Sequence, residues 1–267
     1  LVEERKPNAI RKRREVPKIE LRNVSKTFFG DSRKIKALED VSMSVESGEF
    51  VTIIGPSGSG KSTLFNLMVG LLEPDEGEIC IDGNVCHDRT SRVGYMPQRD
   101  LLLPWRNVVD NVILPQEVLG TARDAARERA IELLPLFGLE DFASSYPDAL
   151  SGGMRQRAAL LRTILSDKEI MLLDEPFGAL DALTRKELQD WLLGVWREFN
   201  QTIVFITHDV EEALYLGDRV IVLSSRPGTV LRSEKVELPR PRRQGMVAWP
   251  GFGKQVTLLL EALGVTI

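Results

Sequence analysis

Residues 50–71 leave few folds open. A continuous apolar run, Phe50 to Ile54, breaks into Gly55-Pro56-Ser57-Gly58-Ser59-Gly60-Lys61-Ser62-Thr63, and Leu64, Phe65, Leu67, Met68 and Leu71 follow at helical spacing. The run predicts a buried strand, because a strand covered on both faces reads as unbroken apolar residues. Strand, glycine loop and helix stand in the order that phosphate binding needs, since glycines let backbone N–H groups turn inward around phosphate oxygens at a helix N-terminus. Within Gly55-x4-Gly60-Lys61-Ser62, Lys61 would place a point charge on the β and γ phosphates. The Ser62 hydroxyl would bind Mg²⁺, a hard cation that takes oxygen ligands.

A phosphate-bound metal also calls for a carboxylate at the end of a neighbouring buried strand, and Ile170-Met171-Leu172-Leu173-Asp174-Glu175 supplies it. Asp174 can hold Mg²⁺ or a metal-bound water, and Glu175 can activate the attacking water. Two acids after a strand also suit a helix cap; paired with the phosphate loop, the metal site is the stronger reading. His208, in Ile206-Thr207-His208-Asp209, closes another apolar run. A lone histidine there is often structural, but the carboxyl end of a strand is where open α/β sheets put their ligands, within reach of a γ-phosphate.

Apolar runs recur at Ile170–Leu173, Thr202–Ile206 and Val220–Leu223, with a helix-length stretch from Leu180 to Glu198 between them. Such alternation predicts a parallel sheet with crossover helices. Lys18 to Asn23 and Val41 to Val45 read as strands ahead of it. Gln98 to Leu160 reads as helical segments broken by Pro104, Pro115, Pro135, Gly138 and Pro147, a subdomain inserted in the core. Beyond Ser224 the chain is rich in Arg and Pro, and Val256 to Leu263 predicts a terminal helix.

The chain's 35 Lys and Arg against 39 Asp and Glu, a net charge of −4, argue against general nucleic-acid binding. The basic cluster Arg5, Lys6, Arg11, Lys12, Arg13 and Arg14 reads as a mobile, solvated tail over residues 1–16. Cys80 and Cys86 lack metal-framework spacing and read as free packing thiols in a reducing compartment. No apolar stretch of about 18 residues and no signal-peptide pattern occur. A membrane role would be borrowed from a partner.

Leu150-Ser151-Gly152-Gly153-Met154-Arg155-Gln156-Arg157 resembles the signature sequence of ABC ATPases, with Gly153 standing 17 residues before Ile170. A Ser-Gly-Gly turn opening a helix presents a hydroxyl, backbone N–H groups and a positive dipole end to a phosphate, a role compatible with Ser151 as an ordinary N-cap. The resemblance covers residues 17–230. It implies an α/β fold: a P-loop NTPase (RecA-like) core with a parallel sheet, an N-terminal antiparallel β part and a helical subdomain over about 98–160. It also implies ATP and Mg²⁺ as cofactors, with residues 55–63 and Phe28 on the nucleotide. Phe28 matches the aromatic that stacks on adenine, and Phe29 beside it leaves that assignment open by one residue.

By the same resemblance Gln98, in Tyr95-Met96-Pro97-Gln98, matches the glutamine that senses Mg²⁺ and the permease. Gly178-Ala179-Leu180-Asp181 matches the D-loop, and His208 the switch histidine. The implied metal set is Ser62, Gln98 and Asp174; the implied catalytic set is Glu175 as base, His208, Lys61 and Gln98. Ser151, Gly152, Gly153 and Gln156 would meet the ATP of a second subunit, so that two copies sandwich two nucleotides.

Leu101-Leu102-Leu103-Pro104-Trp105-Arg106-Asn107-Val108, with Asn111-Val112, resembles the ATPases of nitrate, sulfonate, taurine and bicarbonate importers, as do Ser225-Arg226-Pro227-Gly228 and Pro239-Arg240-Pro241-Arg242. This implies a peripheral ATPase on the cytoplasmic face of a membrane, serving a separate permease and, indirectly, a solute-binding protein, without nucleic acid. The branch also includes transporters of cofactor precursors. Non-transport ABC proteins fit less well: the translation type carries two cassettes where one P-loop exists here. The repair type inserts a long coiled coil, whereas Lys61 and Ser151 are 90 residues apart without sustained heptads. A small-molecule kinase would not need the Ser-Gly-Gly helix. Residues 231–267, read as a C-terminal extension, match no regulatory motif.

Overall fold

The computed structural model describes residues 16–30, 34–199 and 201–265; the expected basic tail, apart from Val16, lies outside them. In chain order the strands are β1 (Ile19–Phe29), β2 (Lys34–Val45), β3 (Phe50–Ile54), β4 (Glu76–Ile81), β5 (Asn84–Val85), β6 (Val93–Met96), β7 (Ile170–Asp174), β8 (Thr202–Ile206), β9 (Arg219–Leu223) and β10 (Val230–Lys235). The helices are α1 (Lys61–Val69), α2 (Val108–Val112), α3 (Leu114–Val118), α4 (Arg123–Leu133), α5 (Gly152–Ile164), α6 (Ala182–Phe199), α7 (Val210–Leu216) and α8 (Pro250–Ala262).

Strands β2-β1-β4-β5 form an antiparallel sheet, and β10-β9-β3-β8-β7-β6 form a second sheet that is parallel except at its β10 edge. This is the α/β architecture expected, with the antiparallel part N-terminal. The central strands are buried on both faces, and their period of two divides the core. Phe50, Met171, Leu173, Ile203, Phe205, Val220 and Val222 face one cluster with α5, α6, α7 and α8. Val51, Ile53, Ile170, Leu172, Val204, Ile206, Ile221 and Leu223 face another, under α1 and the antiparallel sheet.

Helices α2 to α5 occupy the interval between β6 and β7. The boundary expected at residue 230 meets a different arrangement: β10 runs across it as a sheet strand, and Val236, Leu238, Phe252 and Leu259 are buried in the larger cluster. Residues after 230 therefore complete the core, because the edge of β9 and the face of α7 would otherwise be bare. The parallel order sends the carboxyl ends of β3, β6, β7 and β8 to one edge of the sheet, where Gly55, Gln98, Glu175 and His208 emerge.

Candidate functional site

At the end of β3 the chain turns through Gly58 and Gly60, both at positive φ, 76° and 92°. Gly60 is the N-cap of α1, and a Cβ there would lie 2.8 Å from both Ala37 O and Leu38 Cδ2, so conformation and space both require glycine. The loop closes on Lys61, whose Nζ donates to Gly55 O at 2.7 Å and Pro56 O at 3.0 Å and approaches Ser59 Oγ at 3.4 Å. Burial lowers the pKa of this ammonium, against the pull of Glu175 and Asp174.

Phe28, Ile35, Ala37, residues 57–63, Glu175 and Arg226 line a cleft of about 520 Å³ over this loop. Register separates the two adjacent phenylalanines: Phe28 pairs with Ile35 and Phe29 with Lys34, so they point to opposite faces. Phe28 lines the cleft; Phe29 is 79% exposed with Lys34 Nζ 5.7 Å from its ring centroid.

Asp174, the last residue of β7, is buried beneath Lys61's neighbourhood, and burial together with the adjacent Glu175 charge pushes its carboxyl up to about 6. The Tyr95 hydroxyl of β6 lies 3.5 Å from Asp174 Oδ2, and burial beside that acid pushes the phenol up to about 12. Glu175 leaves the strand at φ 43°, a left-handed conformation costly for a residue with a Cβ, held by its N–H to Ile206 O (3.0 Å) and by Gly178 N–H to its carbonyl (3.1 Å). Its Oε2 accepts from Gln98 Nε2 at 3.3 Å and lies 3.2 Å from His208 Nδ1. Three strand ends thus converge on one carboxylate oxygen.

The donors available to a divalent cation are the Ser62 hydroxyl, the Asp174 carboxylate and the Gln98 amide oxygen, the end of that amide turned away from Glu175. All are oxygens, as Mg²⁺ prefers, and a buried carboxylate whose proton is hard to remove is a group that a cation would neutralise. The donor set therefore fits. Among the described residues no cluster of three His, Cys, Asp or Glu forms an all-protein metal cage.

Ser151 is the N-cap of α5, its Oγ accepting from Met154 N at 3.2 Å, and it is exposed. Gly152 and Gly153 press on α6 and the turn before it: a Cβ at either would meet Leu180 or Thr184 side-chain carbon at 3.2 or 3.1 Å. Asp181 caps α6, accepting from Leu183 N and Thr184 N at 3.1 and 3.0 Å. None of Ser151, Gly152, Gly153 and Asp181 lines the Lys61 cleft. Gln156 differs from its expected company: it is 7% exposed with Oε1 unpartnered, and it borders Met96 and Leu160 inside the helical layer. It also lines a cavity of about 400 Å³ with Gln98, Gly152, Arg155 and Ala179, so it sits beneath the turn rather than on the exposed surface that Ser151 presents.

Two connections carry no sequence signal of their own. Arg185 of α6 joins Leu180 O (3.0 Å) to Asp209 (3.8 Å), linking the turn before α6 to the residue after His208. Thr207 donates to the buried Glu212, which also accepts from Gln189 at 2.9 Å, and so fixes the backbone that carries His208.

Residues 38–178 match the family described as ABC transporter. The aliphatic sulfonates import ATP-binding protein SsuB of Bacillus cereus is 38% identical over 92% of this chain and 97% of its own length. The taurine import ATP-binding protein TauB of Rhizobium johnstonii is 45% identical over 74% of this chain and 76% of its own. Among solved structures, a dimeric post-hydrolysis state of the ATP-binding cassette MJ0796 bound to ADP and Pi superposes with a TM-score of 0.72 at 35% identity, covering 83% of this chain and all of that one.

Proposed function

Because the chain belongs to the ABC transporter family of ATP-binding proteins, we propose that it is the ATPase subunit that energises import of a small anion of the sulfonate, taurine, nitrate or bicarbonate kind through a separate permease. The convergence of Gln98 and His208 on Glu175 Oε2, beside the Lys61 loop, carries the reading. On this reading Glu175 is the base, His208 the γ-phosphate contact and Gln98 the sensing amide, and their meeting at one point on the edge of the sheet supports it.

Phe28 stacks on the base, and the backbone N–H groups of residues 55–63 with Lys61 hold the phosphates. Ser62, Asp174 and Gln98 would hold Mg²⁺, which would supply charge neutralisation at the phosphates. Glu175 accepts a proton from water as the water attacks the γ-phosphorus in line, and His208 orients the γ-phosphoryl oxygens. Two copies pair so that Ser151, Gly152 and Gly153 of each approach the γ-phosphate held by the other, with Asp181 at the seam. ATP binding then closes the pair and hydrolysis reopens it.

The relatives' names, SsuB and TauB, support the cargo class. Among the described residues no helix is long and apolar enough to cross a membrane. The segment after Gln98 leaves Leu101, Trp105, Val118 and Leu119 exposed, apolar side chains of the kind that a partner would cover. The ATPase thus lies against the cytoplasmic face of a permease that receives solute from a binding protein.

Glu175→Gln tests this. It is expected to bind MgATP, form a stable dimer by sedimentation and turn over at least about a hundredfold more slowly, the scale of general-base catalysis. Used as bait in native membranes with MgATP, it is expected to retain a polytopic permease, whose binding protein is then titrated with sulfonates, taurine, nitrate and bicarbonate. Full turnover removes Glu175 as base; recovery of ribosomes or DNA with no permease removes the transport reading.

A further inference from the structure

On the opposite side of β3 from Asp174, Glu175 and His208, the chain leaves β9 through residues 224–229 and brings Arg226 to the wall of the Lys61 cleft. This connection is tightly fixed. Ser224 Oγ contacts Pro227 O and accepts from Thr229 N, each at 2.8 Å. Gly228 N–H donates to Ala37 O at 2.9 Å, and Glu39 N–H to Gly228 O at 3.0 Å. A Cβ on Gly228 would lie 2.1 Å from Ser59 O, so the connection rests directly on the phosphate loop and only glycine permits it.

From this support the Arg226 Nε reaches Gly58 O at 3.3 Å. No carboxylate pairs with the guanidinium among the described residues, whereas on the neighbouring strands Arg219 pairs with Glu49 and Arg232 with Glu234. A guanidinium offers five N–H donors in a planar fork and keeps its charge at every working pH. One donor is directed at the loop carbonyl, and among the described residues the Nη atoms have no hydrogen-bond acceptor.

We infer that Arg226 is a further nucleotide-binding residue, its guanidinium contacting a phosphate of the bound nucleoside di- or triphosphate on the side away from the γ-phosphate. The inference rests on the reading of this cleft as the nucleotide site. Position selects the phosphate: Arg226 enters the cleft from the β9 side of β3, whereas Asp174, Glu175 and His208 follow strands on the other side of β3, with Glu175 lining the same cleft from there. A contact there is made equally by ATP and ADP, so it contributes to binding of both.

The test titrates ATP and ADP into the full chain as wild type, Arg226→Ala, Arg226→Gln, Arg226→Lys and, as control, Arg232→Ala. Arg226→Ala is expected to weaken ATP and ADP by the same factor, on the order of tenfold for one lost charge-assisted hydrogen bond. The fall in kcat/KM should be carried by KM. Arg226→Gln, which keeps a donor for Gly58 O but no charge, should weaken both to a similar extent, Arg226→Lys should recover part, and Arg232→Ala should match wild type. If Arg226→Ala itself unfolds, the Gln and Lys variants decide. Wild-type affinities in the charge-removing variants overturn the assignment, and so does loss of ATP binding with ADP binding intact, which would move the side chain to the γ-phosphate or to a second subunit. Failure of the wild type to bind either nucleotide would instead remove the reading of the cleft, and this assignment with it.

Discussion

Asp174 is held where its own charge is unwelcome: it is 8% exposed, next to Glu175, and titrates at about 6. An acid whose folded pKa is raised binds its proton more tightly in the folded than in the unfolded chain, so stability falls as pH climbs from the ordinary carboxylate range through about 6. Asp174→Asn removes that penalty. It should stabilise the protein at pH 8 by up to about 3 kcal/mol and by little near pH 4, while abolishing hydrolysis. Thermal unfolding of both proteins at the two pH values checks this, and an equal difference at both would refute it. The acids after an apolar run and the glycine loop were legible in the sequence because their chemistry is tied to local backbone form. Arg226 was not, because its contact with Gly58 spans 168 residues and depends on how β9 and β10 are joined. The choice of Phe28 over Phe29 needed the register of β1 against β2, which strand patterning alone leaves free by one residue.

At the scale of elements, α7 shows how the C-terminal segment enters the site's support. This seven-residue helix begins at Asp209, whose side chain accepts from Glu211 N and Glu212 N at 2.9 and 3.1 Å, directly after His208. Its far end and exit are held by the buried Arg242, donating to Leu214 O, Tyr215 O and Gly217 O at 3.1, 2.8 and 2.7 Å. Arg240 takes Leu216 O at 2.7 Å while its guanidinium stacks 4.1 Å from the Trp196 ring centroid. The terminal carbonyls that a helix leaves unsatisfied are thus met by arginines of Pro239-Arg240-Pro241-Arg242. Arg242→Ala should cost about 3 kcal/mol, and a protein of this size would lose on the order of 10 °C in Tm. A loss below about 1 kcal/mol would mean that water replaces the guanidinium. Helix α7 was missed in sequence because a seven-residue helix with six of its residues buried shows no amphipathic period. Strand β10 was missed because its exposed side chains carry no apolar alternation; it is a strand because the β9 edge offers it a ladder.

Seen as a whole, the molecule carries its phosphate loop and its exposed Ser151 turn as separate surfaces, since that turn takes no part in the cleft over Lys61. In a two-fold pair every contact occurs twice, so each of the two proposed ATP sites takes Lys61 from one copy and Ser151 from the other. Two lesions that are each fatal in a homodimer then differ in how they combine. In a mixed pair with Lys61→Ala in one copy and Ser151→Arg in the other, both defects fall in the same site and the second site is whole. With both substitutions in one copy and none in its partner, each site has one defect. Tagged mixed dimers purified by sequential affinity steps are expected to retain ATPase activity in the first arrangement and to lose it in the second. The reverse pattern, with activity kept in the second arrangement and lost in the first, would mean that each copy completes its own site. Complementation in trans is therefore a property that this layout assigns to the pair and to neither subunit alone.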